Sequence, residues 1–131
     1  MPRSLNEGPQ HLAAGKLAET LAERYLVRKG LRTVSRNFRC RTGELDLVME
    51  DGPHLVVVEI RYRRRLAPVS PAESIGMRKR ERLARAAQYF LQCHDRYGEH
   101  PLRFDVVAVS GSLDRPRLQW IPAAFDYSDR S

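Results

Sequence analysis

Gly43-Glu44-Leu45-Asp46-Leu47-Val48-Met49-Glu50 and Leu55-Val56-Val57-Val58-Glu59-Ile60-Arg61-Tyr62 are two apolar stretches joined by Asp51-Gly52-Pro53-His54. Alternating and β-branched residues on either side of a Gly-Pro turn read as a β-hairpin, with strands over 44–50 and 55–62. Strand side chains alternate faces, so Asp46 is expected beside Glu44 and Val48, and Glu59 beside Val57 and Arg61. The turn length decides whether the two acids share a face. A four-residue turn pairs Glu50 with Leu55, sets Asp46 opposite Glu59 and sets Glu44 opposite Arg61. A three-residue turn sends Asp46 and Glu59 to opposite faces, whereas a two-residue turn keeps them together.

Outward from the hairpin, residues 9–29 carry Leu17, Ala18, Leu21, Ala22, Tyr25 and Leu26 at three- and four-residue steps, with Gly30 as a stop, and predict a helix. Residues 31–39 alternate weakly, as an edge strand would. Residues 63–73 hold two prolines and predict a loop. A second helix is predicted from near Ser74 to His94, with Leu83, Ala86, Ala87, Phe90 and Leu91 inward. The apolar run 104–109 suits a sheet interior, and 118–121 adds a last strand before a polar tail. The order α-β-β-β-α-β-β predicts an α/β (α+β) fold, a mixed central sheet flanked by helices. At 131 residues and with 42% hydrophobic residues, the chain fits one domain (1–131, core about 10–125).

The apolar run Leu55 to Val58 is far short of the roughly 20 residues a membrane span needs, and the first residues lack a secretory signal pattern. These features predict a soluble cytoplasmic domain with no membrane partner. Cys40 and Cys93 have neither CxxC spacing nor paired histidines, which argues against zinc and against a structural disulfide. Lys and Arg number 23 against 16 Asp and Glu, for a net charge of +7. That balance fits a polyanionic partner, nucleic acid first and an anionic membrane surface second, or a basic surface kept for solubility. Only Lys16, Lys29 and Lys79 are lysines, and the other twenty are arginines.

Two acids facing each other across a strand pair repel. A divalent ion reverses that penalty, and Mg²⁺ takes one or two carboxylates with water and phosphate oxygens. Asp46 and Glu59 are thus candidate metal ligands. The alternative is that they pair with Arg61 and Arg63 on an exposed face, which fits poorly with four apolar residues just before Glu59. Glu19 lies at the edge of the first helix's apolar stripe, either leaning over the sheet as a third acid or solvated on a flank. Lys16, three residues earlier, is placed for a helical ion pair with it. Lys79 falls on the inward side of the second helix near its start, where a lysine either snorkels or aims at a phosphate.

The landmarks Gly15-x3-Glu19, Tyr25-Leu26, Gly30, Asn37-Phe38-Arg39, Gly43-Glu44-Leu45-Asp46-Leu47, Val56-Val57-Val58-Glu59-Ile60-Arg61, Lys79, Ala87-x-Tyr89-Phe90-Leu91, Arg103-Phe104-Asp105-Val106-Val107 and Ala124-Phe125 resemble the YraN-like family of uncharacterised bacterial proteins, from about Ala14 to Phe125. The resemblance implies a restriction-endonuclease-like fold with a core similar to archaeal Holliday-junction resolvases. It also implies that Asp46 and Glu59 match the two metal-binding acids of the nuclease signature and Glu19 the acid on the first helix. Arg61 stands where that signature has lysine. Arginine's planar fork binds phosphate well, but a pKa of roughly 12.5 or above bars it from acting as a general base. Three outcomes follow: the acids and Mg²⁺ activate water without a lysine, Lys79 or Lys16 reaches the site instead, or catalysis is lost.

The leading expectation is a Mg²⁺- or Mn²⁺-dependent nuclease acting on DNA rather than RNA, branched DNA included. Asp46, Glu59 and Glu19 would hold the ion. Arg61 and Lys79 would balance charge on the phosphate, and Arg63, Arg64, Arg65, Arg78 and Arg82, with Arg80 and Arg85, would track the backbone. A binding module of the same fold without hydrolysis is the second reading, and a protein-interaction domain without a nucleic-acid role is the third. The resolvase likeness leaves a homodimer open.

Overall fold

The computed structural model describes residues 3–64 and 75–126, with side chains from Ala14 onward. Its elements are α1 (Arg3–Arg28), β1 (Arg32–Cys40), β2 (Gly43–Asp51), β3 (His54–Arg63), α2 (Met77–Cys93), a single 3₁₀ turn (Asp95–Tyr97), β4 (Leu102–Ser110) and β5 (Arg117–Phe125). This is the α-β-β-β-α-β-β order expected from the sequence. The first helix starts six residues before the expected boundary, and the 3₁₀ turn was not foreseen. Arg65 and most of the 63–73 segment fall outside the described residues.

The strands form one sheet in the order β1-β2-β3-β4-β5. Neighbours are antiparallel except β3 and β4, which run parallel from Leu55↔Leu102 to Arg63↔Ser110. A parallel pair needs a crossover connection, and α2 supplies it. The sheet is therefore mixed and carries a helix on each face. On one face Ala18, Ala22 and Leu26 of α1 meet Leu47, Met49, Val56, Val58, Val107 and Val109. On the other, Leu83, Ala86, Ala87 and Phe90 of α2 meet Leu45, Val48, Leu55, Val57 and Val106. β3 and β4 are covered on both sides, which is why they read as near-continuous apolar runs.

α1 ends as its sequence suggests. Gly30 has φ 105, the Gly30 N–H donates to the Val27 carbonyl, and the Leu31 N–H turns back onto Leu26 at 3.1 Å. This left-handed stop needs a residue without a Cβ, and it drops Leu31 into the α1-side core.

The β2–β3 hairpin keeps Glu50 paired with Leu55 and adds Asp51↔His54, leaving Gly52 and Pro53 as the tip. Its ladder stops at Leu47↔Val58. Beyond that point β2 stays with β1 as far as Cys40↔Gly43, and β3 stays with β4, so the two central strands part into a fork. The fork corrects two sequence expectations. Glu44 does not lie opposite Arg61, because no ladder joins the strands there. Face alternation also fails along β2, since Leu45 joins Val48 in the α2-side core whereas Leu47 and Met49 face α1. The cause lies one strand away. Asn37, between the pairs Arg36↔Leu47 and Phe38↔Leu45, has φ 53, a left-handed conformation that asparagine tolerates better than most residues. The kink switches Phe38 from the α1 face to the α2 face, where it meets Phe90 edge-on at 5.0 Å. Leu45 follows it.

Candidate functional site: acids in the strand fork

The divergence of β2 and β3 leaves a backbone donor without a strand partner. Asp46 fills the vacancy: its Oδ2 accepts the Ile60 N–H at 3.1 Å. The Asp46 carboxyl thus reaches into the gap between the strands and also lines the cleft on the α1 side. Glu59, on the α2 side of β3, is buried at 6% exposure, and the two carboxyls are within hydrogen-bonding reach of each other. Burial, then the Glu59 charge, push the Asp46 carboxyl up to about 7 against the opposing pull of the Ile60 N–H, with Glu44 adding a smaller push. Asp46 therefore keeps its proton through much of the acid range.

Each helix sends one lysine towards the fork. Lys79 Nζ lies 3.2 Å from Glu59 Oε2, with half of the lysine side chain in solvent. Both alternatives raised for Lys79 place its amine near water, and the structure adds a specific carboxylate. Lys16 Nζ reaches Asn37 Oδ1 at 3.5 Å. Glu19 lines the cleft between α1 and the fork together with Lys16, Asn37, Asp46 and Ile60. Its carboxyl is raised, first by burial and then by the charges of Asp46 and Glu44, while Asn37 and Lys16 pull it down. Among the described residues no three acids, histidines or cysteines converge closely enough to form a ready-made metal set. The fork thus offers two converging carboxylates with Glu19 and Glu44 standing back from them.

Asn37 and Glu44 were not picked out as site residues. Asn37 Nδ2 donates to Glu19 Oε1 at 3.3 Å and to Glu44 Oε2 at 3.2 Å, so one amide spaces two acids around Asp46. The available signal was an asparagine inside a strand, a residue type that strands disfavour. Arg39 Nε approaches Glu44 from the outer side at 3.8 Å.

The arginines divide into two groups. Arg61 stands two residues beyond Glu59 in β3, half-buried and paired through the backbone with Ala108. Arg63 and Arg64 are exposed where β3 ends, and Arg78, Arg82 and Arg85 are exposed on α2. Arg82 lines a small cleft with Gly43, Glu44 and Lys79, at the mouth of the fork. Arg80 is turned inward, donating to the Ile75 carbonyl at 3.0 Å and lying over the Phe125 ring, so it does not belong with the exposed series. No helix among the described residues is long and apolar enough to cross a membrane.

Residues 18–109, which contain the whole fork, match the family described as "Uncharacterised protein family UPF0102". Similar proteins are UPF0102 proteins of Stutzerimonas stutzeri, 49% identical over 87% of this chain and 95% of the relative, of Ectopseudomonas mendocina, 48% identical over 88% and 97%, and of Pseudomonas aeruginosa, 51% identical over 86% and 91%.

Proposed function

The chain belongs to the UPF0102 family, and we propose that its strand fork is the hydrolytic site of a divalent-metal-dependent phosphodiesterase acting on DNA. One observation carries this reading: the half-buried Asp46 carboxyl and the buried Glu59 carboxyl are held against each other where a cation would relieve their repulsion. A bound Mg²⁺ or Mn²⁺ would supply charge for the phosphate and acidify a water. Two carboxylates with room for water and phosphate oxygens suit Mg²⁺, and Glu19 and Glu44, spaced by the Asn37 amide, would hold ligand waters.

The rest is done by the protein's own groups. The Ile60 N–H fixes the Asp46 carboxyl in the gap. Lys79 compensates the Glu59 charge and swings its exposed ammonium to an incoming phosphate. Arg61, Arg63, Arg64, Arg78 and Arg82 hold the flanking phosphates, so binding weakens steeply as salt rises. A restriction-endonuclease-like ancestry accounts for a mixed sheet parted over two acids.

A binding module without hydrolysis is the second reading, favoured by Arg61 in place of lysine. Incubation of the protein with Mg²⁺ or Mn²⁺ and duplex, flap, single-stranded and four-way DNA separates the two. Cleavage abolished by Asp46→Asn and by Glu59→Gln is expected; tight binding with no cleavage under either metal would leave only the module.

A further inference from the structure

α2 has a second face. Its apolar side is spent on the core, with Leu83, Ala84, Ala86, Ala87 and Phe90 buried. Arg78, Arg82, Arg85 and Tyr89 recur on the opposite side at steps of four, three and four, which is one stripe at about 100° per residue. All four are exposed, and among the described residues none of the three arginines is in an ion pair. The stripe begins beside Lys79, the lysine on Glu59, and runs about 16 Å along the helix at about 1.5 Å per residue.

Tyr89 ends the stripe. Its side is 48% exposed, an unusual cost for a ring next to a core. The ring is nevertheless held: it leans on Phe38 at a centroid distance of 6.1 Å and a tilt of 38°. Phe38 is itself fixed edge-on against Phe90. A half-open aromatic ring held beyond a row of exposed guanidiniums is the pairing that single-stranded nucleic acid requires, with cations for phosphates and a platform for a base. A duplex, whose bases are already stacked, has no use for the ring.

We propose that the Arg78–Arg82–Arg85–Tyr89 stripe binds an unpaired nucleic-acid strand leaving the fork, with a base stacked on Tyr89. The inference rests on the nucleic-acid reading of the fork and narrows its substrate to DNA with a single-stranded arm.

The test is fluorescence anisotropy of the full chain in EDTA, so that no cleavage intervenes. The probes are a blunt duplex and the same duplex carrying a single-stranded arm of about 12 nucleotides. Wild type should prefer the armed probe. Tyr89→Ala should weaken binding to the armed probe about 5- to 100-fold, the range expected for losing one stacked base, while leaving the duplex affinity and the salt slope unchanged. Tyr89→Phe should bind as wild type does, because it keeps the ring and loses only the hydroxyl. Arg85→Ala should lower the salt slope by about 0.7 on the arm. Equal armed-probe affinity for wild type and Tyr89→Ala would overturn this inference and leave the fork reading standing. Failure of wild type to bind either probe at low salt would overturn both.

Discussion

The β2–β3 hairpin carries acids at both ends, and the two ends treat them in opposite ways. At the turn every acid meets a cation. Glu50 faces Arg32 and His100, and Asp51 takes Arg103 at 2.8 Å. Asp105, next door on β4 and 1% exposed, accepts Arg103 Nε and Nη2 at 3.0 and 2.9 Å, the Trp120 indole N–H at 2.9 Å and the Ala123 N–H at 2.9 Å. At the fork, Asp46 and Glu59 face each other with Lys79 on Glu59, while Glu19 and Glu44 stand back from them, bridged by Asn37, with Arg39 on the outer side of Glu44. A buried acid with a full set of donors is a structural element. A buried acid whose nearest neighbour is another acid is unstable without something further, and perturbation of that kind marks functional sites. The difference lies in partners, not in burial, since Asp105 is deeper than Glu59.

Breaking the cluster around Asp105, which lies level with Val58 on β3, should cost the most. Asp105→Ala leaves Arg103 with Asp51 alone and removes the acceptor of an indole N–H and a backbone N–H, and is expected to destabilise the fold by about 3–5 kcal/mol, read from the urea midpoint.

Asp46→Asn should do the reverse. The folded Asp46 carboxyl is pushed up to about 7 from an ordinary 3.8, so the folded chain binds more protons than the unfolded one between those values. Its stability therefore falls as pH rises through that window and is unaffected below it. An asparagine amide keeps the contact with Glu59 without ionising. The metal-free variant should be more stable than wild type by about 1–3 kcal/mol at pH 8 and indistinguishable from it at pH 3.5, in parallel urea titrations. A variant less stable at both pH values would show that the fork acids are structural after all.

The smallest effect belongs to Glu50→Gln. Arg32, its main partner, is largely in solvent, and exposed pairs contribute little. Thermal unfolding of this variant should show a shift well below that of Asp105→Ala.

Much of this was legible in sequence, unevenly. The strands around Asp46 and Glu59 followed from apolar runs about a Gly-Pro turn, and register arithmetic brought the carboxyls together. The fork itself was not legible. Its position depends on Asn37, whose left-handed backbone lies in β1, and on the β3–β4 pairing, which crosses α2. Both are tertiary facts that periodicity within one strand does not carry. The inward position of Lys79 was visible from helical spacing, but its contact with Glu59 required the angle at which α2 crosses the sheet. Asp105 sat unremarked inside a strand that reads as apolar, because its donors come from Arg103, Trp120 and Ala123, two of them on another strand.

Calorimetric titration of Mn²⁺ into wild type and Asp46→Asn at pH 7, in buffers of different ionisation enthalpy, tests the central claim most directly. The account predicts saturable binding to wild type with proton release to the buffer, as a carboxyl near its pKa yields to the ion, and no binding to Asp46→Asn. Equal heats for the two proteins, or none for either, would contradict it.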